Sequence, residues 1–185
     1  MPSFRGFIAV DIPANKKIQE IEKEIKQTNP NIKLVETENI HITLKFLGDV
    51  QETLIDNIEQ IITSAIQGVQ PFSVKLQHTG VFPNVNYIKI IWIGIYDNGI
   101  LSTITSKLED QLESLGFPKE QRGFSPHLTI GRVKTAEHKE KLLQIIRKYE
   151  QEEFGDLIID RVLLKKSELT PKGPIYSNLK EIILK

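Results

Sequence analysis

One tetrapeptide, His41-Ile42-Thr43-Leu44, returns as a near-copy, His127-Leu128-Thr129-Ile130, and this pair limits the possible folds more than any other feature. In each copy histidine and threonine lie two residues apart within an apolar run. Side chains alternate faces along a β-strand, so the His and Thr of each copy share one face. Ile40, Ile42 and Leu44 in one copy, and Leu128 and Ile130 in the other, then turn towards a core. Two such strands brought together offer two imidazoles and two hydroxyls to one cleft, a set suited to proton transfer around a bound phosphate.

The surroundings of the motif repeat as well. A β-prone run at 7–12, a helix, the His41 strand and a second helix are echoed by a run at 91–96, a helix, the His127 strand and a helix. Two long copies cannot make a solenoid, which needs at least three stacked units. They predict an α+β fold that is bilobal, with two pseudo-twofold-related, mainly antiparallel sheets flanked by helices. A central cleft carries one His-x-Thr motif from each lobe. Residues 1–185 read as a single two-lobed domain with no flexible linker.

Apolar periodicity supplies the remaining elements. Helical spacing predicts helices over 15–26 (Ile18, Ile21, Ile25), 51–66, 100–115 and from 135 or 136 to 149. Strands are expected at 7–12, 33–35, 40–47, 72–77, 87–96, 127–133, 156–165 and 175–184. Asn29-Pro30-Asn31 ends the first helix, Gly48-Asp49 stops the first histidine strand, and Gly116 caps the third helix. A turn holding Gly80, Pro83 and Asn84-Val85-Asn86 joins 72–77 to 87–96, whose near-continuous isoleucines suit a central strand. Pro171 to Pro174 turns the last two strands.

Composition removes several function classes. Twenty-four basic and 24 acidic residues balance, so RNA binding requires a local basic patch. The absence of cysteine excludes disulfides, thiolate catalysis and cysteine-based metal sites. No apolar run approaches the about 18 residues of a membrane span, and the first ten residues lack a cleavage signature. A soluble, cytoplasmic protein and a monomer are expected, with no membrane partner.

Unperturbed imidazole has a pKa of about 6.5, so one histidine can deprotonate an attacking water while the other protonates a leaving oxygen. Thr43 and Thr129 can donate to the non-bridging phosphate oxygens. Taken singly, each His-x-Thr also fits an ordinary half-exposed strand, and it is the repetition that favours chemistry. A metal site on the same histidines lacks a third ligand at suitable spacing, since Glu36, Glu38 and Asp49 form no helical His-Glu-x-x-His pattern. No metal and no cofactor are expected. His78 and His138 lack a threonine partner and read as surface histidines.

His41-Ile-Thr-Leu-Lys-Phe-Leu-Gly48 and Pro126-His-Leu-Thr-Ile-Gly-Arg-Val133 resemble the two signatures of the two-histidine phosphoesterase superfamily. The nearest likeness is to its RNA 2',3'-cyclic phosphodiesterase branch, historically the 2'-5' RNA ligases. The resemblance extends through Phe7 to Asp11, Gly80 to Pro83, Leu115 to Phe117, and Ser167, Leu169, Gly173, Pro174 and Tyr176.

It implies opening of a 2',3'-cyclic phosphate at an RNA end to a 2'-phosphate, by His41, Thr43, His127 and Thr129. The resemblance assigns His127 as the base and His41 as the acid. Arg132 matches a phosphate-side arginine, yet strict alternation puts it on the face opposite His127. Either Gly131 permits a bulge or the strand ends there. Phe46 is expected either to stack on the terminal base or to pack in the core. Arg122 either attracts phosphate or is solvated, and Ser167, Pro174 and Tyr176 read first as a turn.

RNA with a cyclic phosphate end, tRNA fragments among the candidates, or a small nucleotide is the expected partner. Two alternatives stay open. One is an RNA- or nucleotide-binding module without turnover. The other is an enzyme acting on 2'-5' linked or small cyclic nucleotides, including ligation by reversal.

Overall fold

The computed structural model describes all residues except 1, 14, 29, 30, 136, 137 and 172. In chain order it contains β1 (Ser3–Asp11), α1 (Lys16–Thr28), β2 (Ile32–Leu34), β3 (His41–Gln51), α2 (Ile55–Ala65), β4 (Phe72–Asn84) and β5 (Tyr87–Tyr96). There follow α3 (Ile100–Leu112), β6 (His127–Val133), α4 (Lys139–Lys148), β7 (Glu153–Ile159), β8 (Arg161–Thr170) and β9 (Gly173–Ile183).

The apolar spacings explain which faces are buried. Ile18, Ile21 and Ile25 form one fully buried stripe on α1, and the Asn15 side chain accepts the Ile18 N–H at 3.2 Å to start that helix. Leu101, Ile104, Leu108 and Leu112 do the same on α3. Its first turn is held by the buried Asp97 carboxylate, which accepts the N–H groups of Gly99 and Leu101. Gly99, at φ 86°, makes that turn possible.

All strand pairs are antiparallel, in the order β7-β4-β5-β6-β3-β1-β8-β9, with β2 added to β6. The path divides naturally into two four-stranded arms, β3-β1-β8-β9 and β6-β5-β4-β7. They meet where Ile42 of β3 faces Leu128 of β6. Both residues are fully buried. The arms are therefore the two related sheets expected from the duplication, joined edge to edge through the two histidine strands. Helices pair by the same symmetry, α1 with α4 and α2 with α3.

Several boundaries differ from the sequence expectation. The apolar run over 156–165 is two strands, not one, because the chain leaves the second arm at Ile159 and enters the first at Arg161. β7 pairs with β4, and β8 pairs with β1. Asp160 lies at this crossing, where its carboxylate takes the Arg161 guanidinium at 2.8 Å and its carbonyl takes the Leu184 N–H at 2.9 Å.

β4 continues past 77 to Asn84, so Gly80 and Pro83 lie within a strand and not in the turn. A bulge at His78, with φ 64°, rephases β4 midway. The His78 ring nitrogen Nδ1 is hydrogen-bonded with the Glu150 carbonyl at 2.8 Å. β3 likewise runs through Gly48-Asp49 to Gln51, Gly48 adopting φ 70°. The helix expected from 51 begins as an α-helix only at Ile55. The expected stop at Asn29-Pro30 and the start of the helix at 135 or 136 involve residues outside those described.

Candidate active site

The rung Ile42↔Leu128 sets the geometry of the site. Because its two side chains point into the core, the residues flanking them, His41 and Thr43 on one strand and His127 and Thr129 on the other, emerge on the opposite face. Antiparallel register carries His41 towards Thr129 and Thr43 towards His127. With strands about 5 Å apart and a rise of about 3.4 Å per residue, the two histidine Cα atoms are separated by about 8 Å.

Each imidazole is held in the same way. His41 Nδ1 lies 2.7 Å from the Asn39 carbonyl oxygen, and His127 Nδ1 lies 2.7 Å from the Ser125 carbonyl oxygen. A carbonyl only accepts, so Nδ1 carries the proton in both rings and Nε2 is left for chemistry. The bond is to the residue two positions before the histidine in both arms, an arrangement that follows from the strand entry itself.

Aromatic rings pack against each histidine. Phe7 lies 5.0 Å from the His41 ring, and Tyr176 meets it edge-on at 5.3 Å. On the other side Phe82 meets His127 edge-on at 5.1 Å and leans on Trp92 at 5.3 Å. Trp92 pairs with Thr129 and Gly94 with His127 across β5 and β6, so this strand contributes a cleft wall and is not buried equally on both faces. The Trp92 indole lies across Gly80, where an added Cβ would fall 2.1 Å from the ring. Only glycine fits there.

Beyond each threonine the strand is rephased by one of a matched pair of bulges. On β3, Ala9 faces Thr43 and Ile8 faces Lys45, leaving Leu44 as an extra residue. On β6, Trp92 faces Thr129 and Ile91 faces Gly131, leaving Ile130 extra. Each bulge turns the next residue inwards and the one after it back to the cleft face. Lys45 and Gly131 are thus buried, while Phe46 and Arg132, five residues after their histidines, return to the side of the imidazoles. Of the two alternatives for Arg132, the structure has the bulge. Phe46 is 58% exposed, with its ring 6.2 Å from Phe7, and is not a core residue.

The charged neighbours are unevenly distributed. Asp11 faces His41 across the β1–β3 pair and is bridged by Lys165 Nζ at 2.6 and 2.7 Å. Burial holds His41 below the ordinary histidine range. The Asn39 carbonyl and Asp11 oppose this shift, while Lys165 and Arg132 add to it. Burial pushes the Tyr176 hydroxyl up, against the pull of Arg132 and Arg5. Arg132 therefore lies within electrostatic reach of both His41 and Tyr176, across the junction of the arms.

Arg122 stands exposed on the loop before β6 and makes no hydrogen bond or ion pair among the described residues. Among the described residues, no group of three or more histidines and carboxylates is placed to hold a metal ion.

Residues 10–167 match the 2'-5' RNA ligase superfamily. The chain belongs to that superfamily. An RNA 2',3'-cyclic phosphodiesterase of Methanocaldococcus jannaschii is 47% identical over 96% of this chain and 99% of its own length. One of Methanothermobacter thermautotrophicus is 37% identical over 95% and 96%. Among solved structures, TT0787 of Thermus thermophilus has a TM-score of 0.79 at 25% identity, covering 97% of each chain. E. coli LigT complexed with 3'-AMP shares the fold with a TM-score of 0.69 at 22% identity and 99% coverage of each chain.

This superfamily member also carries site-lining residues that sequence reasoning missed. Tyr176 read as a turn residue but lines the His41 side, because the β8–β9 hairpin lays Tyr176 beside Ser167 and against Phe7. Asp11 and Lys165 are far apart in sequence, and only the β1–β8 pairing, with Phe7 facing Lys165, brings them together. The apolar character of 7–10 signalled a strand, but nothing in the sequence told which carboxylate would sit beside an imidazole. Among the described residues no helix is long and apolar enough to cross a membrane.

Proposed function

We propose that the protein hydrolyses 2',3'-cyclic phosphate at RNA ends to a 2'-phosphate, using two histidines and no metal. The observation carrying this reading is the matched presentation of His41 and His127, each with Nδ1 tied to a backbone carbonyl and Nε2 free on one face beside a threonine. The name RNA 2',3'-cyclic phosphodiesterase, borne by relatives up to 47% identical over nearly the full length, supports the substrate.

His127 Nε2 accepts a proton from water as the water oxygen attacks phosphorus. His41, entering the step as the imidazolium with a second proton on Nε2, gives that proton to the departing 3'-oxygen, leaving the 2'-phosphate. Thr43 and Thr129 hydroxyls donate to the non-bridging oxygens, where charge gathers, and Arg132 offers its planar fork to the same oxygens. Phe46 presents an exposed ring on which the terminal base stacks.

The opposite polarity is the second reading, and one observation favours it. Burial keeps His41 neutral more readily than an ordinary histidine, which suits a base.

Incubation with RNA ending in 2',3'-cyclic phosphate in excess chelator should yield 2'-phosphate ends. No product, or product only without chelator, refutes the proposal. A cyclic substrate with sulfur at the 3' bridging position, which leaves without a proton, should restore turnover to the variant lacking the acid. Rescue of His41→Ala supports the first polarity, and rescue of His127→Ala supports the second.

A further inference from the structure

The chain has no net charge, yet its cations are not evenly spread. Arg132 also lines a groove of about 470 Å³ at the ends of β5 and β6. Its floor is apolar, from Ile88 and Ile90 on β5 and Leu142 on α4, and its rim carries Lys89, Arg132, Lys134 and Lys139. No carboxylate lines it among the described residues. A second groove, at the crossing between arms, has Asp11, Asp160 and Glu181 beside a single arginine.

The rim cations are also unspent. Elsewhere on the surface Lys17, Lys119, Lys148, Arg161 and Lys180 each contact a carboxylate. Among the described residues none of the four rim cations forms an ion pair. Among the described residues Lys139 Nζ contacts only the Asn86 carbonyl, at 3.3 Å, and Lys89 Nζ sits 5.0 Å over the Tyr87 ring. Tyr87 itself is 60% exposed at the groove mouth.

The groove adjoins the chemistry through Arg132, which lines it. Ile90 faces Arg132, and Trp92 faces Thr129, on the same sheet face as His127. Unpaired cations around an apolar floor with an exposed aromatic ring are the elements of single-stranded nucleic acid binding, where phosphates meet cations and bases lie on apolar or aromatic surfaces. The volume lies within the about 300–1,000 Å³ usual for a ligand site.

From this arrangement we infer a subsite for the nucleotides on the 5' side of the reacting end, which makes the protein selective for oligoribonucleotides over cyclic mononucleotides. The inference rests on the phosphodiesterase reading for the position of the reacting phosphate. Lys89, Lys134 and Lys139 meet internucleotide phosphates, and Tyr87 stacks on a base. This subsite is separate from Phe46, which lies in the other arm.

The test compares 2',3'-cyclic AMP with a five-nucleotide RNA ending in 2',3'-cyclic phosphate, for the wild type and the Lys89→Ala/Lys134→Ala/Lys139→Ala variant. The wild type should have a kcat/KM at least tenfold higher on the oligonucleotide. The triple variant should lose at least tenfold on the oligonucleotide, through KM. On the mononucleotide, which does not reach the groove, it should change less than twofold. The slope of log KM against log salt should fall by about 2, at roughly 0.7 per phosphate contact on a single strand. The corresponding triple Lys→Arg variant should keep oligonucleotide activity.

Equal losses on both substrates, or no loss on either, overturn the subsite. If the wild type turns over neither substrate, the phosphodiesterase reading fails. The groove is then judged by anisotropy with labelled RNA lacking the cyclic phosphate. Wild-type binding that the alanine variant loses sustains the groove, and equal binding by both refutes it.

Discussion

Lys45→Met should destabilise the protein and loosen the approach to His127. The bulge at Leu44 turns Lys45 inwards, where its Nζ lies 2.7 Å from Glu109 Oε2 on α3 and 2.6 Å from the Pro118 carbonyl. The Lys45 side chain is 1% exposed and that of Glu109 14%. The same carboxylate oxygen takes the Glu120 N–H at 3.1 Å, so the Lys45–Glu109 pair anchors both ends of a turn in the loop leading to Ser125 and His127.

Methionine fills the space of the lysine stem but leaves a buried carboxylate short of its counter-charge and a carbonyl short of a donor. Removing one partner of a buried pair costs about 3–5 kcal/mol. At roughly 2–4 °C per kcal/mol for a chain of this size, Tm should fall by about 6–20 °C. Circular dichroism melts at pH 7.5 measure it. Adding Glu109→Gln should recover part of the loss, because the stranded charge is then gone. A fall under 2 °C, or a double variant less stable than the single one, refutes the reasoning. Below the melting range Lys45→Met should also lower kcat, since the loop that carries the Ser125 carbonyl loses its anchor.

Glu22 is buried, has Oε1 without a partner among the described residues, and is pushed up to about 7 by burial first and by Glu36 second. The neutral form is the one the fold accepts, so its contribution is complete below the unfolded value of 4.5 and is lost as pH rises through about 7. The shift is worth about 3 kcal/mol, and the stability gained by Glu22→Gln in urea titrations should grow by about that much between pH 4.5 and pH 8. A gain that does not change with pH would sink the account.

His41→Ala and His127→Ala should each cost about 10²–10⁴ in kcat. If His41 is the acid, its lowered pKa places the alkaline limb of kcat/KM below the ordinary histidine value of 6.5, and that limb should vanish in His41→Ala. A limb at or above 6.5 contradicts this. Gly80→Ala drives a methyl into Trp92, the sole tryptophan, and should cost about 1–3 kcal/mol with a shift in tryptophan emission. Unchanged emission and Tm would show that the indole is placed otherwise.

The sequence displayed the architecture because duplication left two copies of strand, helix, histidine strand and helix, each with its own periodicity. It displayed the histidines and threonines because period-two alternation holds over residues 41–43 and 127–129. Alternation fails two residues after each threonine, at Lys45 and Gly131. A bulge depends on cross-strand pairing, which is invisible along one strand, so the inward turn of Lys45 and the outward return of Phe46 had no local signal. Gly131 hinted at the bulge beside Arg132, and Lys45, its counterpart in the other arm, gave no such hint. The break at Asp160 was hidden for a related reason. Strands β7 and β8 are both β-prone, and only their different partners, β4 and β1, separate them.

That crossing at Asp160 also governs the order in which the molecule can be assembled as it is synthesised. The arm carrying His127 is built from β4 to β7, a continuous stretch of chain from Phe72 to Ile159. The arm carrying His41 takes β1 and β3 from the beginning of the chain and β8 and β9 from its end. Emerging from a ribosome, the His127 arm has all its strands while the His41 arm still has half. Asp11 must wait for Lys165, and His41 for Tyr176, so His127 receives its neighbours before His41 does. A chain cut short before β8 therefore leaves the β1 edge unpaired, and it is β8 and β9 that complete the surroundings of the first motif.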